Sequence, residues 1–228
     1  MQAIKNESFQ EGSVRGLVER TSSPDGLAEI YHSVNNLVIW QRAENASWSE
    51  AVRGLITQNK NLKRLPLQIE AHVTPGSVRE FLNDQFKWYQ DVGSFIDELA
   101  DLVDMFCCLF DVEKAGFRLT MLDKAMCPKF HVDKVPCRLV TTYQGAATEW
   151  LAHKHVDRTK LGKGAFGLSD ENSGIYTAKS EIQQLAVGDV ALLKGELWEG
   201  NEGAGIVHRS PKVDRHDQRL LLTLDLVG

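Results

Sequence analysis

The chain has 228 residues, 43% hydrophobic and 25% charged, with a formal net charge of −5, which describes a folded globular protein of one large domain, or a core domain with a helical extension. The acidic balance excludes a general attraction to nucleic-acid phosphates or anionic lipid, and no run approaches the roughly 20 apolar residues needed to span a bilayer. Four cysteines do not make a disulfide framework at this length, and the opening MQAIKNESFQEG lacks the apolar run of a secretory signal, so a cytoplasmic protein with no nucleic-acid or membrane partner is expected.

In chain order, Leu37-Val38-Ile39-Trp40 is short, apolar and flanked by polar residues, as expected of a buried strand. Ser47 and Glu50 have the spacing of a capping box, which predicts a helix over about 48–58. Ser77 and Glu80 repeat that signature just after Pro75-Gly76, with Phe81, Leu82, Phe86 and Tyr89 behind them at near-helical spacing. Residues 94–110 carry Phe95, Ile96, Leu99, Leu102, Val103, Phe106 and Phe110, one broad apolar stripe of a helix that must pack on something large. Cys107 and Cys108 on this helix read as small packed hydrophobes.

After Gly116 the pattern turns to short β-favouring segments at 117–121, 138–143, 148–151, 181–187, 190–193, 205–208 and 219–227. Helices followed by a run of strands predict an α+β fold, with a helical N-terminal portion over 1–115 and a β core over 116–228 forming one module. The polar, glycine-rich stretch 157–174 is the candidate mobile loop. Within it, Gly162 to Gly167 satisfies G-x-G-x-x-G, but the apolar strand and the helix that a dinucleotide site needs are missing on either side.

Three elements carry chemistry. In His131-Val132-Asp133, residues two apart on an extended strand share a face, so an imidazole and a carboxylate can converge on one ion. His208 ends the apolar segment Gly205-Ile206-Val207, and two histidines with one carboxylate leave open positions on an octahedral ion, the arrangement of non-haem Fe(II) oxygenases. Arg219 opens Arg219-Leu220-Leu221-Leu222-Thr223-Leu224-Asp225, whose alternation sends Leu220, Leu222, Leu224 and Leu226 to one face and Arg219, Leu221, Thr223 and Asp225 to the other. An arginine pointing inward beside a metal needs an anion, and its planar fork suits a carboxylate. Competing with this, Cys127, His131 and Cys137 form C-x3-H-x5-C, a zinc-like set that Asp133 or His208 would complete. His153, Lys154, His155, Arg158, Lys160 and Lys163 make a local basic patch, read either as a solvated face or as an aid in recruiting an acidic substrate.

Taken together, the order and spacing of these residues resemble the Fe(II)/2-oxoglutarate-dependent dioxygenases, with His131, Asp133 and His208 at the positions of the metal triad. The stretch from Arg138 to Tyr143 and then Gly145 to Leu151 resembles the strand, turn and G-x-T-x-W segment of prolyl hydroxylase-like members. The resemblance implies a double-stranded β-helix (jelly-roll, cupin-like) of about eight strands and an iron- and 2-oxoglutarate-dependent oxygenase acting on a small-molecule or peptide substrate. It also implies Arg219 as the group for the distal carboxylate of 2-oxoglutarate, with Tyr143 as a second contact; Lys194, on an inner strand, is a second candidate for that carboxylate. Over nearly the whole length the chain also resembles an uncharacterised bacterial family, the domain of unknown function 1826, through residues 36–42, 127–133, 142–151 and 207–211. The alternatives left open are a non-catalytic zinc or metal-homeostasis protein on the same fold and a silent jelly-roll that binds a partner.

Overall fold

A computed structural model describes residues 16–42, 46–61, 67–213 and 218–227. The fold is mixed α/β, dominated by one large sheet. Its elements run β1 (Leu17–Thr21), β2 (Asn35–Trp40), α1 (Ala46–Asn61), β3 (Gln68–Val73), α2 (Val78–Phe86), α3 (Gly93–Phe110) and β4 (Ala115–Leu122). They continue through β5 (Cys137–Gln144), β6 (Glu149–Leu151), β7 (Ile182–Gln184), β8 (Val190–Lys194), β9 (Val207–Arg209) and β10 (Arg219–Leu226). The large sheet has the order β1-β2-β8-β5-β10-β4-β3 and the small one β7-β6-β9. The β1–β2 pair is parallel and every other pair antiparallel.

The leucine alternation of β10 organises the whole. Leu220, Leu222 and Leu224 are fully buried in the main core with Phe95, Leu99, Val103 and Phe106 of α3, Trp48 and Leu55 of α1, and Leu82 and Phe86 of α2. Arg219, Leu221 and Thr223 leave the other face of the same strand, toward the small sheet. There a second cluster of Leu37, Ile39, Val140, Trp150, Ala191, Leu193 and Leu221 fills the space between the two sheets. One side of the large sheet is thus sealed by helices and the other is left to the small sheet and the site.

The N-terminal 115 residues are not helical alone. They supply three strands of the large sheet, and β3 pairs with β4 from Gln68↔Thr120 to Val73↔Ala115, across the boundary drawn after residue 115. Val38 and Ile69 lie in the same core as Leu222. The expected capping box at Ser47 lies outside the described side chains. At the second site Ser77 is the N-cap of α2 but makes no side-chain cap bond; its hydroxyl bonds Thr74 instead. Cys107 is buried as expected, whereas Cys108 is exposed. Residues 157–174 fold as short helical turns, and Gly162–Ala165 is a 3-10 turn with no strand before it, which removes the dinucleotide context. Among the described residues no helix is long and apolar enough to cross a membrane.

Leu222 is 0% exposed on the strand shared by β4 and β5, so Leu222→Ala should destabilise the protein by about 2–5 kcal/mol in urea unfolding. A loss under about 1 kcal/mol would mean that this strand is not the packed centre described.

Candidate metal centre

His131 and Asp133 arrive on the segment between β4 and β5, and His208 on β9. His131 belongs to no long strand; it forms an isolated antiparallel bridge in which its N–H donates to the His208 carbonyl and the His208 N–H donates to the His131 carbonyl, each at 3.0 Å. This exchange puts the imidazoles side by side, with ring centroids 4.6 Å apart. Asp133 completes the group: its carboxylate oxygens lie 3.6 Å from His131 Nε2 and 3.4 Å from His208 Nε2. One ligand atom from each residue lies within 4.8 Å of the other two. Among the described residues this is the one cluster of histidine, cysteine and carboxylate side chains able to hold an ion.

Both histidines have the tautomer that ligation requires. His131 Nδ1 lies 2.9 Å from the Lys129 carbonyl and His208 Nδ1 3.2 Å from the Ile206 carbonyl. A carbonyl can only accept, so Nδ1 carries the proton and each Nε2 lone pair faces the other ligands. Burial pushes the His131 pKa down and the neighbouring His208 ring adds to this, favouring the neutral ligating form. Burial would by itself push the Asp133 carboxyl up. When His208 carries a second proton, on Nε2, its hydrogen bond and charge, with the Arg138 guanidinium and His131, overcome it and pull the pKa down to about 2. Arg138 fixes the carboxylate: its Nη1 donates to Asp133 Oδ2 at 2.7 Å, while Nε and Nη2 clasp Asp225 at 2.7 and 2.8 Å.

Beside the triad lies a cleft lined by His131, His208, Ser210, Arg219, Leu221 and Thr223, with Val140 and Leu193 as apolar wall. Arg219 is 1% exposed. Its Nη2 donates to Thr148 Oγ1 at 2.8 Å and Thr142 Oγ1 at 3.2 Å, its Nη1 to Ser210 Oγ at 3.3 Å, and its Nε has no partner. No carboxylate among the described residues pairs with it, and burial alone pushes its pKa down to about 10. The hydroxyls of Thr120 and Thr223, which also line the cleft, are likewise buried and unpartnered. A two-histidine, one-carboxylate donor set beside an uncompensated buried cation fits a metal ion with a carboxylate co-ligand.

The profile of a family described as "Protein of unknown function (DUF1826)" matches residues 21–225. The chain belongs to that family. No curated protein matches it. Among solved structures it is similar to the rice dioxygenase for auxin oxidation, at 11% identity and a TM-score of 0.47, over 95% of this chain and 83% of that one. A Pseudomonas putida prolyl-4-hydroxylase matches at 8% identity and a TM-score of 0.44, over 90% of this chain and 99% of that one. A full-length Neurospora crassa protein in complex with alpha-KG matches at 10% identity and a TM-score of 0.47, over 91% of this chain and 82% of that one. At such scores the weight rests on the side chains.

Two expected co-substrate residues stand elsewhere. Tyr143 leaves the helix face of β5, packed edge-on against Trp48 and Phe95, with its hydroxyl bonded to Glu98. Lys194 follows Val190 and Leu192 onto that same face, where Nζ bonds the His32 carbonyl and lies over the Trp198 ring. Neither lines the cleft; of the arginines that do, Arg118 pairs with Glu70 and Arg138 with Asp133 and Asp225, which leaves Arg219 as the one without a carboxylate among the described residues. The zinc-like set is not assembled either. Cys127 lines the cleft, but Cys137 points into the main core, where burial pushes its thiol far up. Sequence reasoning missed Arg138 as the clamp on Asp133, because the Arg138↔Asp225 register exists only once β5 and β10 pair.

Asp133 yields a pH test on metal-free protein. Its folded pKa of about 2 lies below the ordinary 3.8, so its ion pairs stabilise the fold above pH 3.8 and are lost as pH falls through about 2. The stability difference between wild type and Asp133→Asn should therefore narrow by about 2 kcal/mol between pH 5 and pH 2. A difference independent of pH would mean that the carboxylate is not held as described.

Proposed function

We propose that the protein is an Fe(II)- and 2-oxoglutarate-dependent oxygenase on a double-stranded β-helix, acting on a small-molecule or peptide substrate in the cytoplasm. The observation that carries this reading is the pairing of a His131–Asp133–His208 triad with the buried, anion-free guanidinium of Arg219 in one cleft. The site motifs resemble that enzyme class in order and spacing.

His131 and His208 would hold iron through Nε2, and Asp133 through the oxygen nearer His131, since Oδ2 is taken by Arg138. Iron with 2-oxoglutarate supplies the oxidising chemistry, in which O2 is reduced as the co-substrate is decarboxylated to succinate. Arg219 would receive the distal carboxylate on its free Nε and its weakly engaged Nη1, pre-oriented by Thr142 and Thr148. Thr223 Oγ1 is a further donor on the same face of β10. Val140, Leu193 and Leu221 keep water from the cleft wall, which strengthens each of these polar contacts.

Anaerobic titration of the metal-free protein with Fe(II) and then 2-oxoglutarate should give a visible charge-transfer band. Arg219→Ala should weaken 2-oxoglutarate roughly tenfold to a hundredfold, the loss of a charge-assisted, bidentate pair, while Fe(II) binding is kept. No band in wild type, with zinc retained by the triad, would place the protein among non-catalytic metal binders instead.

A further inference from the structure

A second groove opens between β1 and the β6–β7 edge, lined by Val18, Arg20, Trp150, His153, Lys154 and Glu181. Trp150, in its wall, is the strand partner of a triad residue. Trp150 pairs directly with His208 across β6 and β9, so both side chains leave the small sheet on one face. The indole is packed with Val140, Leu193 and Leu221, the apolar wall of the triad's cleft. The ring thus lines the groove and shares its apolar cluster with residues that line the triad's cleft.

The groove offers donors without matching acceptors. Trp150 is 4% exposed, and its Nε1–H, which can only donate, has no partner. His153 Nδ1 is also buried without a partner. The Arg20 guanidinium lies over the Trp150 ring, 5.7 Å from its centre. Among the described residues neither Arg20 nor Lys154 forms an ion pair, and both are exposed. Two carboxylates stand near, and both are engaged. Glu181 accepts from the Thr177 and Ala178 N–H groups and pairs with His155. Asp189, which feels both Arg20 and Arg42, accepts from the Ala186 N–H.

We infer that this groove binds an oxyanion, a carboxylate or a phosphate, through Trp150 Nε1, Arg20 and Lys154. Its place one strand pair from His208 makes that group the anionic end of the substrate. This second step rests on the oxygenase reading; the first does not.

The test follows the indole N–H resonances of the metal-free, full-length protein by two-dimensional NMR, with Trp150→Phe identifying the Trp150 signal. Inorganic phosphate and benzoate are titrated separately, against sodium chloride at equal ionic strength. The Trp150 signal should move saturably with one of them, and which one tells phosphate from carboxylate. In Arg20→Gln/Lys154→Gln the apparent affinity should fall about tenfold or more, as for a lost charge-assisted hydrogen bond. The iron–2-oxoglutarate band should survive in that variant, because neither residue lines the triad's cleft. No movement beyond that with chloride, or the same movement in the double variant, overturns the anion site. Saturable movement in a protein that gives no iron–2-oxoglutarate band upholds the anion site and overturns its assignment to substrate.

Discussion

A guanidinium sealed from water, with no carboxylate partner among the described residues, is the constraint around which the site is built. Arg219 cannot swing to solvent, because it opens a strand flanked by partners on both sides in the middle of the large sheet. Its backbone is held close by the turn after β5. Gly145 sits there at φ +82°, and a Cβ on it would lie 2.8 Å from the Gln218 carbonyl and 3.1 Å from Arg219 Cα. Three hydroxyls satisfy part of the fork and leave Nε bare. Desolvating a cation is costly, and hydroxyl dipoles return only part of that cost. A carboxylate arriving from solution would return the rest. The fold thus holds an unfavourable charge in place so that a ligand can be recognised.

The triad depends on close backbone approach. The His131–His208 exchange works because the chain leading into β9 runs tight against the H-x-D segment: a Cβ on Gly205 would meet Val132 at 2.5 Å. The long insertion between Asp133 and His208 is tied to the same place. Arg209 donates to Glu149 and Asp170, and Asp170 in turn accepts the Phe130 N–H, one residue before His131. The insertion therefore braces the metal-binding segment while its glycine-rich part remains outside the cleft lining.

Much of this was readable from residues alone, and the failures share a cause. The β10 alternation could be read because its polar residues mark one face, and H-x-D, His208 and Arg219 followed from residue type and spacing. In β5 and β8 both faces are buried, one by helices and one by the small sheet, so polarity no longer marks direction. Tyr143, a candidate through the resemblance, and Lys194, a candidate as an inner-strand cation, therefore carry no local sign that they lie on the helix face. The edge strand β3 escaped notice because only Ile69 and Val73 are buried in it, and its partner lies some fifty residues ahead. Arg138 and Trp150 became functional candidates only through cross-strand register, which no local pattern carries.

The central claim is that one ion and one carboxylate meet between the triad and Arg219. Anomalous diffraction from crystals loaded anaerobically with Fe(II) and 2-oxoglutarate tests it most directly. The account predicts one iron peak bounded by His131 Nε2, His208 Nε2 and Asp133, with a carboxylate of the co-substrate on Arg219. Iron bound elsewhere, or a co-substrate that leaves Arg219 without an anion, would contradict it.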